Sequence, residues 1–196
     1  MENNEIYIEE RLRNENLKIY MENDNIINIK LLQGSSFGFK HDTTTLAIKA
    51  IKKINNIKHN LDFALDFGSG SGVIAIFLKK LGIDKVFCCE TDKFAVNESK
   101  KNFSVNNVNP IPDFIDNPFA QDQKYNVVIA NISGSYIKKN LLEFSKIINS
   151  NGFLIISGFN CNKLDNYIST ATNFSFKHHE SFKKSPWASV ILEKIS

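Results

Sequence analysis

The spacing of apolar and polar positions changes several times along the chain, and each change marks an element. Apolar-rich runs at 6–12, 17–21 and 26–32 are short and separated by Asn- and Asp-containing turns, which predicts two or three strands. Over 43–54 the interval lengthens. Leu46, Ala47, Ala50, Ile51 and Ile54 recur at helical spacing, so this segment is predicted as a helix with one apolar side. Strand and helix then alternate, with strands at 63–67 and 86–89 and helices at 73–80 and 94–103. Pro110, Pro112 and Pro118 interrupt the next stretch and leave room only for a short strand at 113–115. A strand at 127–130, a helix at 137–148 and a strand at 153–156 continue the series. A helix at 164–171 leads to runs at 174–177 and 188–193, read as an antiparallel pair at one sheet edge.

Strands that are apolar almost throughout are expected where helices cover both faces of a sheet. The expected fold class is therefore α/β: a seven-stranded, mostly parallel sheet with helices on both faces and a C-terminal antiparallel strand pair. Two units are expected, a short β-rich appendage over 1–33 and the main domain over 34–196. A chain of 196 residues is long enough for one such core.

Composition narrows the function classes. The 24 basic and 21 acidic residues leave a net charge of +3, and Arg11 and Arg13 are the only arginines. Nucleic-acid binding is not indicated, since no basic stripe and few guanidinium forks are available. Cys88, Cys89 and Cys161 lack the spacing of a zinc site or a disulfide framework, and His59, His178 and His179 form no ligand constellation. No metal is expected. The polar start, Met1-Glu2-Asn3-Asn4-Glu5, is unlike a signal peptide, and no apolar run reaches membrane-spanning length. The expectation is a cytoplasmic protein, monomeric or weakly dimeric, with no membrane partner.

The sharpest chemical signal is Leu65-Asp66-Phe67-Gly68-Ser69-Gly70-Ser71-Gly72, set between a predicted strand and a predicted helix. Glycines there allow a tight turn and close approach of backbone to a ligand. Glu90, just past the second strand of this series, is placed to accept hydrogen bonds from a ribose diol. A dinucleotide site would carry G-x-G-x-x-G, but Val73 stands where its third glycine is needed, and Asp66 would repel a pyrophosphate. The pattern favours S-adenosylmethionine over NAD, with Asp66 accepting from a cationic cofactor directly or through water.

Several segments together resemble a known family. Phe37-Gly38-Phe39-Lys40-His41-Asp42-Thr43-Thr44, the glycine turn, Glu90-Thr91-Asp92 with Ala95-Val96, Asn131-Ile132 and the stretch from Gly152 to Gly158 are similar to PrmA, the bacterial methyltransferase family of the eleventh protein of the large ribosomal subunit. The resemblance implies a class I methyltransferase fold and methyl transfer from S-adenosylmethionine to amino nitrogens of a protein, at its N-terminus and at lysines. It implies that Thr43 and Thr44 help close the cofactor pocket, and that Gly68, Gly70, Gly72 and Glu90 hold the cofactor. Either Asp113 or Asp116 would contact the adenine, and Asn131 would face the transferring methyl as the catalytic residue. The family's loop usually reads Phe-Gly-Thr-Gly-Thr-His-Pro-Thr-Thr, so Phe39, Lys40 and Asp42 depart from it. Against the family's pattern, the expectation is that its larger N-terminal recognition domain is absent or reduced to about 33 residues here.

Other readings stay open beside this one. His41 could serve as a base, or act only as a loop residue. Tyr136 and Trp187 could line an acceptor cleft or simply pack. An RNA or small-molecule methyltransferase is an alternative, although no Asn-Pro-Pro-Tyr signature is present. A further alternative is a non-catalytic domain that keeps the cofactor pocket and binds a partner.

Overall fold

The computed structural model describes residues 14–21, 25–32, 34, 41–57 and 61–195. The expected strand at 6–12 and the segment from Phe37 to Lys40 lie outside the described residues. Strands β1 (Asn14–Tyr20) and β2 (Ile26–Leu32) form an antiparallel hairpin. Helix α1 (Asp42–Ile57) follows, then β3 (Phe63–Phe67), α2 (Val73–Lys80), β4 (Lys85–Cys89), α3 (Lys93–Val105) and β5 (Asp113–Phe114). The second half runs β6 (Tyr125–Asn131), α4 (Gly134–Lys139), α5 (Leu141–Ile147), β7 (Ile148–Asn160), α6 (Leu164–Thr172), β8 (Phe176–Lys184) and β9 (Trp187–Lys194). The main sheet has seven strands in the order β5-β4-β3-β6-β7-β9-β8, parallel except where β9 pairs with β7 and β8. The order reverses beside β3. In open parallel sheets ligands bind at such a switch point, outside the carboxyl ends of the strands.

Apolar residues fill consecutive positions of these strands because each face has its own core. Ala64, Val127, Ile129, Phe153, Ile155 and Ile191 join one core with α1 and α2, Phe103 of α3, and the hairpin residues Ile19, Ile29 and Leu31. Their neighbours Leu65, Val128, Ala130, Leu154, Ile156, Val190 and Leu192 join the other, with Ile137, Leu141, Phe144, Leu164 and Tyr167 from α4, α5 and α6. The two-residue alternation of a strand sends successive side chains to opposite layers.

Two elements differ from the sequence expectation. The helix expected over 137–148 is divided at Asn140, whose Nδ2 donates to the Tyr136 carbonyl at 2.8 Å. Such back-bonding competes with the helical ladder, and Ile148 becomes the first residue of β7. β8 begins later and runs longer than 174–177. Phe174 is still in the turn after α6, its N–H donating to the Ala171 carbonyl at 3.0 Å. The run Lys177-His178-His179-Glu180 continues as an edge strand, where charged side chains blunt an open edge and mask the apolar signal.

The hairpin is fastened to the main layer by two asparagines one helical turn apart. Asn106 Oδ1 accepts from the Lys30 N–H and Asn102 Oδ1 from the Leu32 N–H, both at 2.9 Å. Asn102 Nδ2 also donates to the Ser71 carbonyl at 2.9 Å, so one buried side chain joins the hairpin edge to the glycine turn. No helix among the described residues is long and apolar enough to cross a membrane.

Candidate active site

At the carboxyl ends of β3, β4, β6 and β7 the structure opens into a cleft of about 1020 Å³. The predicted residues Thr43, Gly68, Gly70, Glu90, Asp116 and Asn131 line it, whereas Thr44, Asp66, Gly72 and Asp113 do not.

One side is built from the turn after β3. Gly68, Gly70 and Gly72 have φ of 77°, 50° and 79°, and the N–H groups of Gly68 and Ser69 donate to the Cys89 carbonyl at 2.7 and 3.1 Å. Glu90 closes the turn. Its Oε2 accepts from the Gly70 N–H at 2.9 Å, and its Oε1 accepts from Thr91 and Asp92 at 2.8 and 3.0 Å. The carboxylate is thus fixed on the cleft wall by three backbone donors, and Oε2 keeps capacity for a hydroxyl donor. Asp116 and Phe119 also line the cleft. Asp113 instead sits in β5, paired with Phe87 and exposed.

Asp66 has a different place from the one its sequence position suggested. Its side chain is 1% exposed, and Oδ2 accepts from the Ala75 N–H at 3.0 Å. Gly72, the N-cap of α2, has no side chain to satisfy that helix's first donors, and Asp66 does so from the preceding strand. Burial raises its carboxyl to about 7, the Ala75 hydrogen bond opposing this and the charge of Glu90 adding to it. Gly72 is a packing position. A Cβ there would lie 2.8 Å from Phe103 Cε1 and 2.9 Å from Ser99 Cβ, so glycine lets α2 seat on α3.

The other side is built from α1, β6 and β7. Asn131 ends β6, and its Nδ2 donates to Thr44 Oγ1 at 3.3 Å. That bond orients the amide. Its Oδ1 is buried and has no hydrogen-bond partner among the described residues. The start of α1 is held in turn. Ser157 Oγ donates to the Thr43 carbonyl at 2.7 Å, and His41 Nδ1 accepts from the Thr43 N–H at 3.3 Å. Lys184 Nζ bridges to Asp42 at 2.6 Å, and the His41 ring meets Trp187 edge-on at 5.3 Å. His41, Tyr136 and Trp187 all line the cleft. His41 Nδ1 is engaged by the helix start, which favours a structural part for the ring.

Cys89 also lines the cleft, but burial, and then the charges of Glu90, Asp116 and Asp66, push its thiol up to about 11. It is protonated at neutral pH and is no nucleophile. Among the described residues no three His, Cys, Asp or Glu side chains gather as a metal site. Sequence reasoning singled out neither Ser157 nor Gly158 as a site residue, although both stand against Asn131 or the α1 start. A glycine inside a strand pattern is the signal that points to such a place.

The family model described as ribosomal protein L11 methyltransferase (PrmA) matches residues 9–195. The chain belongs to the PrmA family. A ribosomal protein L11 methyltransferase of Dictyoglomus turgidum is 32% identical over 168 residues, covering 84% of this chain and 54% of the relative. One of Thermosipho melanesiensis is 32% identical over 178 residues, covering 87% and 63%. The chain therefore spans little more than half the length of these PrmA relatives. A crystal structure of ribosomal protein L11 methylase from Lactobacillus delbrueckii subsp. bulgaricus superposes with a TM-score of 0.72 over 81% of this chain and 82% of that one, at 21% identity. That likeness establishes the class I methyltransferase fold.

Proposed function

We propose that this chain transfers a methyl group from S-adenosylmethionine to an amino nitrogen of a protein, the eleventh protein of the large ribosomal subunit being the first candidate. The observation that carries the reading is one cleft with two unlike walls. A backbone-anchored carboxylate at a glycine turn faces it on one side, and Asn131, its amide oriented by Thr44, lines it on the other. The names of the PrmA relatives support the protein acceptor. The free cysteines Cys88, Cys89 and Cys161 fit a reducing compartment, and we place the reaction in the cytoplasm.

When bound, S-adenosylmethionine supplies an electrophilic methyl group on a sulfonium sulfur. Gly68, Gly70 and Glu90 would hold it, with Asp116 at the adenine end and Thr43 at the α1 side. Thr44 acts through Asn131, Asp66 and Gly72 through the α2 start, and Asp113 stands away from the cleft. Asn131 Oδ1 accepts an N–H bond from the incoming amine and turns its lone pair toward the methyl. The amine's proton passes to solvent, so neither a metal nor a covalent enzyme intermediate enters the scheme. The aromatic group of Phe67, Phe119 and Tyr136, with ring centroids 5.5 and 6.0 Å from Phe67, forms an apolar flank to the cleft.

The reading has a direct test at Gly70. Its φ of 50° suits glycine, and a branched side chain there both strains the turn and occupies the cofactor's path. Gly70→Val should lose at least tenfold in affinity for S-adenosylmethionine by calorimetry while its thermal melt shows a folded protein. A folded variant with wild-type affinity would remove the turn from the cofactor site.

A further inference from the structure

Two asparagines of α3 hold the outer edge of β2, and they do so differently. Asn106 copies a strand partner. Its Oδ1 accepts from the Lys30 N–H at 2.9 Å, and its Nδ2 donates back to the Lys30 carbonyl. Asn102 also accepts from β2, at the Leu32 N–H, but its Nδ2 donates to the Ser71 carbonyl at 2.9 Å. One fully buried amide thus gives its acceptor to the hairpin and its donor to the glycine turn.

The turn that receives this bond has little slack. Gly72 sits so close to Ser99 and Phe103 of α3 that a Cβ has no room. Inside the turn, the Gly70 N–H is held by Glu90 at 2.9 Å and the Gly72 N–H by the Ser69 carbonyl at 2.8 Å. Close-packed contacts of this kind transmit a displacement instead of absorbing it. On the hairpin side, an added side chain at Gly34 would run into the Glu98 carboxyl, so the chain leaving β2 stays against α3. Leaving either the Leu32 N–H or the Ser71 carbonyl without its partner costs free energy, so the amide favours the arrangement in which both ends are seated together.

We propose that Asn102 is a positioning residue for the cofactor site, a two-ended clamp through which hairpin docking and cofactor binding strengthen each other. The inference rests on the reading that the Gly68–Gly72 turn holds the cofactor. It goes beyond that reading by adding a residue that does not line the cleft and by making the hairpin part of the cofactor's binding energetics. Linkage makes the effect reciprocal. If the docked hairpin favours the turn that binds the cofactor, a bound cofactor holds the hairpin by the same factor. Asn106 supplies a control within the molecule. It lies one helical turn further along and grips the same strand, but its side chain bonds Lys30 and the Asn102 carbonyl, not the turn.

The test combines calorimetry with amide hydrogen exchange on the full chain, with S-adenosylhomocysteine as the probe and thermal melts to verify folding. Asn102→Ala should bind the probe about tenfold more weakly, whereas Asn106→Ala should stay within about twofold of wild type. In the wild type, saturating probe should slow exchange at the Lys30 and Leu32 N–H groups about fivefold more than at the amides of β8, on the far side of the sheet. That extra protection should persist at Leu32 in Asn106→Ala and vanish in Asn102→Ala. A folded Asn102→Ala protein with wild-type affinity overturns the clamp, and so do equal losses in the two variants, which would reflect a loosened hairpin alone. If Asn102→Ala does not fold, the wild-type exchange decides: bound probe without extra protection at the hairpin overturns the proposal. A wild type that does not bind the probe counts against the cofactor reading. The clamp is then judged without ligand, where the Gly70 and Gly72 N–H groups should exchange about tenfold faster in Asn102→Ala than in Asn106→Ala. Equal rates there overturn it.

Discussion

Replacing Asp66 with Asn should make the protein more stable than wild type at pH 8, with an advantage that shrinks toward pH 4. The Asp66 carboxyl is buried and raised from 3.8 to about 7, chiefly by desolvation. The native state therefore keeps a proton that the unfolded chain has already lost. Where the unfolded state binds fewer protons, stability falls as pH rises. The contribution is fully present below about pH 4, is lost progressively across pH 4 to 7, and is absent above that window. Three pK units correspond to about 4 kcal/mol, at roughly 1.4 kcal/mol per unit. The amide is nearly the same shape, its oxygen can still accept from the Ala75 N–H, and it never ionises. The difference in melting temperature between Asp66→Asn and wild type should grow by about 10 °C between pH 4 and pH 8, given the usual 2–4 °C per kcal/mol at this chain length. Comparing the two proteins cancels the carboxylates they share. A difference that does not change with pH would mean that Asp66 is already ionised in the folded protein.

Asn131→Ala should lower the rate of methyl transfer by about a hundredfold while leaving the fold and most cofactor affinity in place. Removing one oriented hydrogen-bond partner from a transition state typically costs that much. Asn131 ends β6 and takes no part in the hydrogen bonds that hold Glu90 and the Gly70 turn, so the residues proposed to hold the cofactor keep their places when it is truncated. The loss should appear in kcat, because an interaction made equally in ground and transition states would alter KM alone. Thr44 Oγ1 loses a donor in this variant, which adds a small drop in melting temperature. Single-turnover rates at saturating cofactor, read beside thermal melts, separate the two effects. A folded Asn131→Ala protein that transfers at the wild-type rate removes Asn131 from catalysis.

What could be read from the sequence was local. The Gly68, Gly70 and Gly72 spacing, the carboxylate of Glu90 after a strand and Asn131 after another are properties of neighbouring residues, and the sheet then brings them to one edge. The part of Asp66 was not legible, because it depends on α2 starting beside β3 with a glycine cap, a relation made in three dimensions. Nor was the seam of Asn102 and Asn106 with the hairpin, since two polar residues on a helix ordinarily read as a solvated face. β8 was shortened in the sequence reading because an edge strand with one wet face carries charges where a buried strand carries Val and Ile. The bulge at Gly158 shows only when the ladder with β9 is followed residue by residue.

The measurement that bears most directly on the central claim is transfer itself. The purified chain is incubated with S-adenosylmethionine carrying a tritiated methyl group and with whole-cell extract, and samples are then treated with protease or with nuclease. The expected label is released by protease and left in place by nuclease, lies on amino nitrogens of a protein, and falls about a hundredfold when Asn131→Ala is used for a matched time. Label that survives protease and is released by nuclease would contradict it.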